Sequence, residues 1–284
     1  MNIRCVLNCC TFLFQQAGLL TPRLDAEVLL THLSDMNRTV LYAYPERTIS
    51  KQEQKDFSFL VKRRLRREPV AYILGIKEFW SLSFEVTSDV LIPRPATEVL
   101  VEETLDVARD QFTGRNPDIL EIGTGSGAIS IAIASELQNV RIKATDISPS
   151  ALSVAGCNAM RHGVSDSVIF LEGNLFEPVS GEFDIIVSNP PYIPADVLND
   201  LPPEVRYEPA SALLGGSEGT EYHHGIITEG KDFLRPGGYL IMEIGDGQRT
   251  AVEDILLADD SYENICFRKD YEGIYRVVRA MKKR

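Results

Sequence analysis

Asn189, Pro190, Pro191 and Tyr192 stand together in the chain, and their residue types suit one task. Each proline locks its φ, so the segment is rigid. The Asn189 side-chain oxygen and the Pro190 carbonyl are then two acceptors at fixed spacing. Together they can take both hydrogens of one planar –NH₂ group, with Tyr192 covering its face. That arrangement orients an amine or amide nitrogen; hydride transfer has no evident need of it. A second group is Glu121-Ile122-Gly123-Thr124-Gly125-Ser126-Gly127. Its glycines let the backbone turn tightly and approach a ligand without a Cβ clash. Gly123-x-Gly125-x-x-Ala128 also satisfies the dinucleotide fingerprint. Asp146 comes 23 residues after Gly123, where a carboxylate accepts hydrogen bonds from ribose hydroxyls. A nicotinamide nucleotide and S-adenosylmethionine both fit there, as does an N-cap role before Ser148-Pro149. Asn174 could bind an adenine amino group, with Leu175 or Phe176 packed on the ring.

These residues need elements that bring them to one crevice. The pattern predicts strands at Ile119 to Ile122, Val140 to Thr145, Val168 to Leu171 and Phe183 to Ser188. Helices are predicted at Ala128 to Leu137 and Pro149 to Arg161. A long proline-rich loop follows to about Gly219, then a helix to Leu234, the turn Arg235-Pro236-Gly237-Gly238 and a strand from Tyr239 to Ile244. A helix from about Gln248 to Ala258 and two antiparallel strands near Ile265 to Phe267 and Ile274 to Val278 close the chain. Alternating β and α elements predict an α/β, Rossmann-like sheet, mostly parallel with an antiparallel last strand. Motifs at the carboxyl ends of such strands face the ligand crevice.

The first 77 residues read as a small helical bundle. Val6, Leu7, Cys10, Phe14 and Ala17 recur at helical spacing. Thr21-Pro22 opens a second helix with Leu24, Val28, Leu29 and Leu33 on one face. A third runs from Ser50 to Leu65 and ends in Lys62-Arg63-Arg64-Leu65-Arg66-Arg67. That basic run is a solvated helix face or a docking surface for a protein partner. Residues 78–95 read as a β-hairpin linker, with Ser88-Asp89 as its turn and Val90 to Ile92 as its second arm. Residues 96–284 form the catalytic domain.

The chain has 284 residues and a net charge of −12. The charge is uneven. Residues 1–85 hold 12 Lys and Arg against 9 Asp and Glu, whereas residues 86–284 hold 17 against 32. An acidic catalytic half argues against phosphate-backbone binding. No apolar run approaches the ~18 residues of a membrane span, and no signal-peptide h-region stands out, so a cytoplasmic protein is expected. The five cysteines have no zinc spacing and are expected to be buried reduced thiols. No metal is expected. His162, His223 and His224 are weak candidates for a base, on loops and without a visible partner.

The sequence resembles the class I S-adenosylmethionine-dependent methyltransferases that act on amino groups. It is more similar still to the peptide chain release factor N5-glutamine methyltransferases, the HemK/PrmC family. The resemblance rests on Gly123 to Gly127, Asp146 and Asn189 to Tyr192 in that order. It extends to Arg23-Leu24-Asp25-Ala26-Glu27-Val28-Leu29-Leu30, Glu68-Pro69-Val70-Ala71-Tyr72-Ile73-Leu74-Gly75 and Ile92-Pro93-Arg94-Pro95 with Thr97-Glu98. Val205-Arg206-Tyr207-Glu208-Pro209, Gly237-Gly238, Glu243-Ile244-Gly245 and Lys269-Asp270-Tyr271-Glu272-Gly273 complete it. Many relatives have Asp where this chain has Ala96, and an acidic residue where it has Asn174. The resemblance implies that Gly123, Thr124, Gly125, Ser126 and Gly127 hold the methionine part and ribose of S-adenosylmethionine. Asp146 would bind the ribose hydroxyls, and Asn174 and Leu175 would flank the adenine. Asn189, Pro190, Pro191 and Tyr192 would hold the substrate amide, with Asn189 beside the cofactor as well. The substrate implied is the glutamine of the Gly-Gly-Gln motif in class 1 release factors. The helical bundle would dock that partner, with no stable nucleic-acid or membrane binding. S-adenosylhomocysteine would be the product.

Three other functions share parts of this pattern. A DNA adenine-N6 methyltransferase would use the same amine trap but needs a basic target-recognition region. A nicotinamide-dependent oxidoreductase would share only the glycine loop. A noncatalytic S-adenosylmethionine-sensing module would lack turnover with any acceptor.

Overall fold

The computed structural model describes residues 1–34 and 36–284, which divide into two compact units. The first comprises Met1–Gly75 with Pro202–Tyr207, and the second Ile76–Leu201 with Glu208–Arg284.

The first unit is built on α1 (Ile3–Gln16), α2 (Pro22–His32), α3 (Arg38–Ala43), α4 (Lys51–Leu65) and α5 (Val70–Leu74). Asn2 caps α1 by accepting the Cys5 N–H. Ser50 and Glu53 form a reciprocal capping box on α4, satisfying donors that a helix start otherwise leaves open. Phe14, Leu29, Leu30, Leu41 and Phe57 make the core. Leu24 is exposed, unlike the expected face of α2, and Asp25 and Glu27 are buried instead. Their charges are paired: Arg64 holds Asp25 at 2.8 Å, and Arg23 and Arg38 hold Glu27. The basic run on α4 is therefore mostly internal. Arg63 pairs with Glu68, Arg64 also with Glu204, and Arg67 with Glu204 and the carbonyls of Ala17 and Gly18. Lys62 and Arg66 are the members left exposed.

The second unit opens with a hairpin, β1 (Ile76–Phe79) and β2 (Leu82–Glu85). Its turn is Trp80-Ser81, not Ser88-Asp89. Both residues take left-handed φ values, 52° and 57°, the geometry of a two-residue hairpin turn. Glu98 accepts the Trp80 N–H and Glu136 its indole N–H, which hold a tryptophan where glycine or asparagine is usual. Because Glu78 to Val86 alternates without a break, the sequence reads as one strand and hides this turn.

After α6 (Glu98–Gln111) the chain alternates β3 (Asp118–Ile122), α7 (Ala128–Glu136), β4 (Arg141–Asp146), α8 (Pro149–Arg161), β5 (Val168–Glu172) and β6 (Phe183–Ser188). Then come α9 (Glu221–Phe233), β7 (Leu234–Glu243), α10 (Arg249–Ala258), β8 (Tyr262–Lys269) and β9 (Tyr275–Lys282). The seven-stranded sheet has the order β5-β4-β3-β6-β7-β9-β8. β9 alone runs antiparallel to the other six strands. Every residue of β6 is buried, as expected of a parallel strand covered on both faces. The expected turn at Arg235 to Gly238 lies inside β7, where Leu234 already pairs with Phe183 across an irregular register. The strand order reverses between β3 and β6, which opens a crevice at their carboxyl ends.

Candidate active site

Five strands deliver the site. Gly123 follows β3, Asp146 ends β4, Asn174 follows β5, Asn189 follows β6 and Glu243 ends β7. A cavity of about 1170 Å³, its open mouth included, lies there. It is lined by Gly123, Thr124, Gly125, Ser126, Asp146, Asn174, Leu175, Asn189, Pro190 and Pro191. The fold thus brings together most residues singled out by sequence. Gly127 and Tyr192 do not line the cavity; they support it from behind.

The glycine loop is wound by its own hydrogen bonds. The N–H groups of Gly123 and Thr124 both donate to the Thr145 carbonyl at 2.9 Å. Gly125 N–H donates to Asp146 Oδ2 at 2.8 Å. Gly123 and Gly125 have positive φ, and a Cβ at either would meet nothing within 4 Å. Their constraint is backbone conformation, and the space before them is open to a ligand. Gly127 differs: a Cβ there would sit 2.9 Å from Ile131 and 3.2 Å from Ala155. It lets α7 and α8 pack closely. Asn158 on α8 donates to the Ser126 carbonyl at 2.9 Å and exchanges two bonds with the Glu85 backbone. Sequence reading missed this buried amide, since one asparagine in a helix carries no motif.

Asp146 accepts one backbone N–H on each oxygen, from Gly125 and from Ser148. Each oxygen keeps acceptor capacity toward the cavity. Leu175 takes a left-handed φ of 45°, and Gly225 on α9 leaves room for its side chain. Asn174 is exposed at the rim.

Around Asn189 the structure adds partners the sequence did not single out. Asn189 Nδ2 donates to Thr97 Oγ1 at 3.2 Å. Tyr192 donates its hydroxyl to Glu243 Oε1 at 3.3 Å. Glu243 is fully buried, and burial pushes its pKa up to about 7; Thr97, Arg276, Tyr192 and Arg94 oppose that rise. Gln248 Nε2 donates to the carbonyls of Tyr192 and Gly219. Glu208, also buried, accepts the Ile92 N–H at 3.0 Å and pairs with Arg94 at the cavity wall. Thr97, Glu208 and Glu243 all lie in segments that carried the family resemblance, which was the available signal.

His223 and His224 lie in α9 and not on a loop, His162 is in the turn that ends α8, and none of the three lines the cavity. His162 caps α8 and bonds the Ser83 carbonyl. His223 is buried in α9 with Nε2 on the Glu243 carbonyl, and burial lowers its pKa. The thiols also differ from expectation: Cys10 is buried, whereas Cys5, Cys9, Cys157 and Cys266 are exposed. The outward faces of α1 and α8 and the edge strand β8 carry them.

Comparisons with known proteins agree with this architecture. Residues 6–75 match the family model of the PrmC N-terminal domain, and residues 94–199 that of the methyltransferase small domain. A release factor glutamine methyltransferase of Geobacter sulfurreducens is 41% identical over 98% of this chain and 95% of its own. One of Coxiella burnetii is 43% identical over 92% of each chain. Among solved structures, a methyltransferase of Pyrococcus furiosus covers 78% of this chain and 98% of its own at TM-score 0.55 and 22% identity. The hMettl16 catalytic domain, in complex with an RNA hairpin, covers 82% of this chain and 81% of its own at TM-score 0.58 and 15% identity. These two likenesses concern the fold.

A mostly parallel sheet with this strand order, together with the methyltransferase-domain match, defines a Rossmann-like methyltransferase. The near full-length identity places it further: the chain belongs to the release factor glutamine methyltransferase family. No helix among the described residues is long and apolar enough to cross a membrane.

Proposed function

We propose that this enzyme transfers a methyl group from S-adenosylmethionine to the side-chain nitrogen, N5, of the glutamine in the Gly-Gly-Gln motif of class 1 release factors, in the cytoplasm. The observation that carries the reading is the Asn189 amide. With Nδ2 engaged by Thr97, its Oδ1 is the end left to accept from a substrate N–H at the cavity wall.

The cavity residues fit the cofactor. Asp146 has acceptor capacity for vicinal hydroxyls, and Gly123 and Gly125 leave the backbone open to close approach. Gly123 to Ser126 would hold the methionine and ribose, with Gly127 packing behind them, and Asn174 and Leu175 the adenine. S-adenosylmethionine supplies an electrophilic methyl group on a sulfonium. A carboxamide nitrogen is a poor nucleophile, because its lone pair is delocalised into the carbonyl. Asn189 Oδ1 and the Pro190 carbonyl accept its two N–H bonds and localise the lone pair towards the methyl donor. Tyr192 stands behind them with its hydroxyl on Glu243. The proton shed by the nitrogen leaves to water at the open mouth. Positioning and preorganised acceptors supply the rate.

The helical unit docks the release factor in this reading. The test is methyl transfer from labelled S-adenosylmethionine to purified release factor, with a Gln-to-Ala variant of its Gly-Gly-Gln motif and a DNA duplex as controls. Label on the unaltered factor alone is the expected result. Label on the duplex makes the enzyme a DNA adenine methyltransferase instead.

A further inference from the structure

Among the described residues that line the cavity, Arg94 is the only one with a positive charge. Buried Glu208 holds it in place. One Glu208 oxygen accepts the Ile92 N–H at 3.0 Å, and the other accepts from Arg94 Nη2. Because Ile92 occupies the second oxygen, Glu208 grips the guanidinium at one nitrogen and not as a two-pronged fork. A guanidinium has five N–H donors, and the Arg94 side chain is 35% exposed. The pinned group therefore keeps donors for a ligand.

The glycine loop is the reverse case. The N–H groups of Gly123 and Thr124 go to the Thr145 carbonyl, that of Gly125 to Asp146 and that of Gly127 to the Thr124 carbonyl. The Thr124 hydroxyl goes to buried Glu121. Four of the five N–H groups from Gly123 to Gly127 are thus turned inward. An anionic ligand group finds little there, although loops that open a helix commonly bind anions. The other charged residues lining the cavity, Asp89 and Asp146, repel an anion.

Strand order sets the direction in which a ligand lies. The order β5-β4-β3-β6 places Asn174, Asp146, the glycine loop and Asn189 in that sequence along the crevice. S-adenosylmethionine carries adenine, ribose, sulfonium and an amino acid tail in the same sequence. With adenine at Asn174 and ribose at Asp146, the tail ends on the β6 side. Arg94 belongs to that side: three residues on, Thr97 accepts the Asn189 Nδ2 hydrogen bond at 3.2 Å. We propose that Arg94 binds the carboxylate of the cofactor's amino acid tail, with Glu208 as its positioning residue. The inference deepens the reading of the cavity as an S-adenosylmethionine site and rests on it.

The experiment titrates the full chain and its Arg94→Gln and Arg94→Lys variants by calorimetry with two ligands. One is S-adenosylmethionine. The other is its decarboxylated form, which keeps adenine, ribose, sulfonium and ammonium and lacks only the carboxylate. The unaltered enzyme should bind S-adenosylmethionine about ten- to hundredfold more tightly than the decarboxylated ligand, the range of a charge-assisted hydrogen bond. Arg94→Gln should erase that preference by weakening S-adenosylmethionine alone, with the decarboxylated ligand within about twofold. Arg94→Lys keeps a cation without the planar fork and should lie between. Where Arg94→Gln fails to fold, Arg94→Lys decides, through a loss of at least about threefold for S-adenosylmethionine alone. Equal losses for both ligands, no preference in the unaltered enzyme, or variants that keep the preference overturn the inference. A kept preference would place the carboxylate at the start of α7, which has no side-chain cap. An unaltered enzyme that binds neither ligand overturns the cofactor reading with it.

Discussion

Gln248 Nε2 lies 2.9 Å from the Tyr192 carbonyl and 3.0 Å from that of Gly219. One side chain thus ties the end of Asn-Pro-Pro-Tyr to the far end of the loop that follows it. Its Oε1 accepts the Gly245 N–H, closing the clamp onto the end of β7. The glycines complete the fit: a Cβ on Gly215 would stand 2.6 Å from Tyr192 Cα, and one on Gly219 2.5 Å from the Tyr192 carbonyl oxygen.

Gln248→Leu keeps the bulk and removes all three bonds. Tyr192 and its neighbours then lose their fixed position, while the cofactor-side residues keep theirs. The expected outcome is a fall in kcat/KM for the release factor of roughly tenfold or more, with cofactor affinity unchanged. Initial rates alongside a cofactor titration check it; matched losses in both would place Gln248 in general stability instead.

Asn189→Ala removes one of the two acceptors proposed for the substrate nitrogen. Turnover should drop by about a hundredfold or more, in the range of a lost preorganised group. The affinity for S-adenosylmethionine should stay near that of the unaltered enzyme, since Asp146 and the glycine loop are untouched. An equal loss of both would defeat this division of labour.

The sheet was legible because its strands and helices repeat at their own periods and its motifs sit where strands end. β3, β4 and β6 lie within a residue or so of their sequence-predicted positions. The hairpin turn was not legible, since Trp80 and Ser81 adopt left-handed φ only with Glu98 and Glu136 holding the indole and backbone. Nor was the inward face of α2, because Asp25 is paired by the distant Arg64, and Glu27 by Arg38 beyond the helix as well as by its neighbour Arg23. At the site, residues named by motif were visible and the groups that orient them were not. Thr97 and Asn189 are 92 positions apart, and hydrogen-bond direction is a property of the fold.

Lys62 and Arg66 carry the docking proposal, because the neighbouring arginines already have partners inside the helical unit. Reversing both to Glu should raise KM for the whole release factor about two- to tenfold, in keeping with weak exposed charge contacts. KM for a short Gly-Gly-Gln peptide should not move. An unchanged ratio of the two KM values removes this surface from the docking proposal.

Glu121 is fully buried, with its Oε2 held by Thr124 and Ser130 and its Oε1 without a partner. Burial pushes its pKa up from 4.5 to about 7. The folded chain therefore keeps a proton that the unfolded chain has already released. Between those two values the folded state binds more protons, so this group's contribution to stability declines as pH rises through that window, and the full cost is present above it. Glu121→Gln cannot ionise and escapes this cost. Its melting temperature relative to the unaltered enzyme should thus improve by a few degrees between about pH 5 and about pH 8. Glu243, buried in both proteins, cancels in the difference. Melting curves of the two proteins across that range test the point; a constant gap would mean that Glu121 stays ionised in the fold.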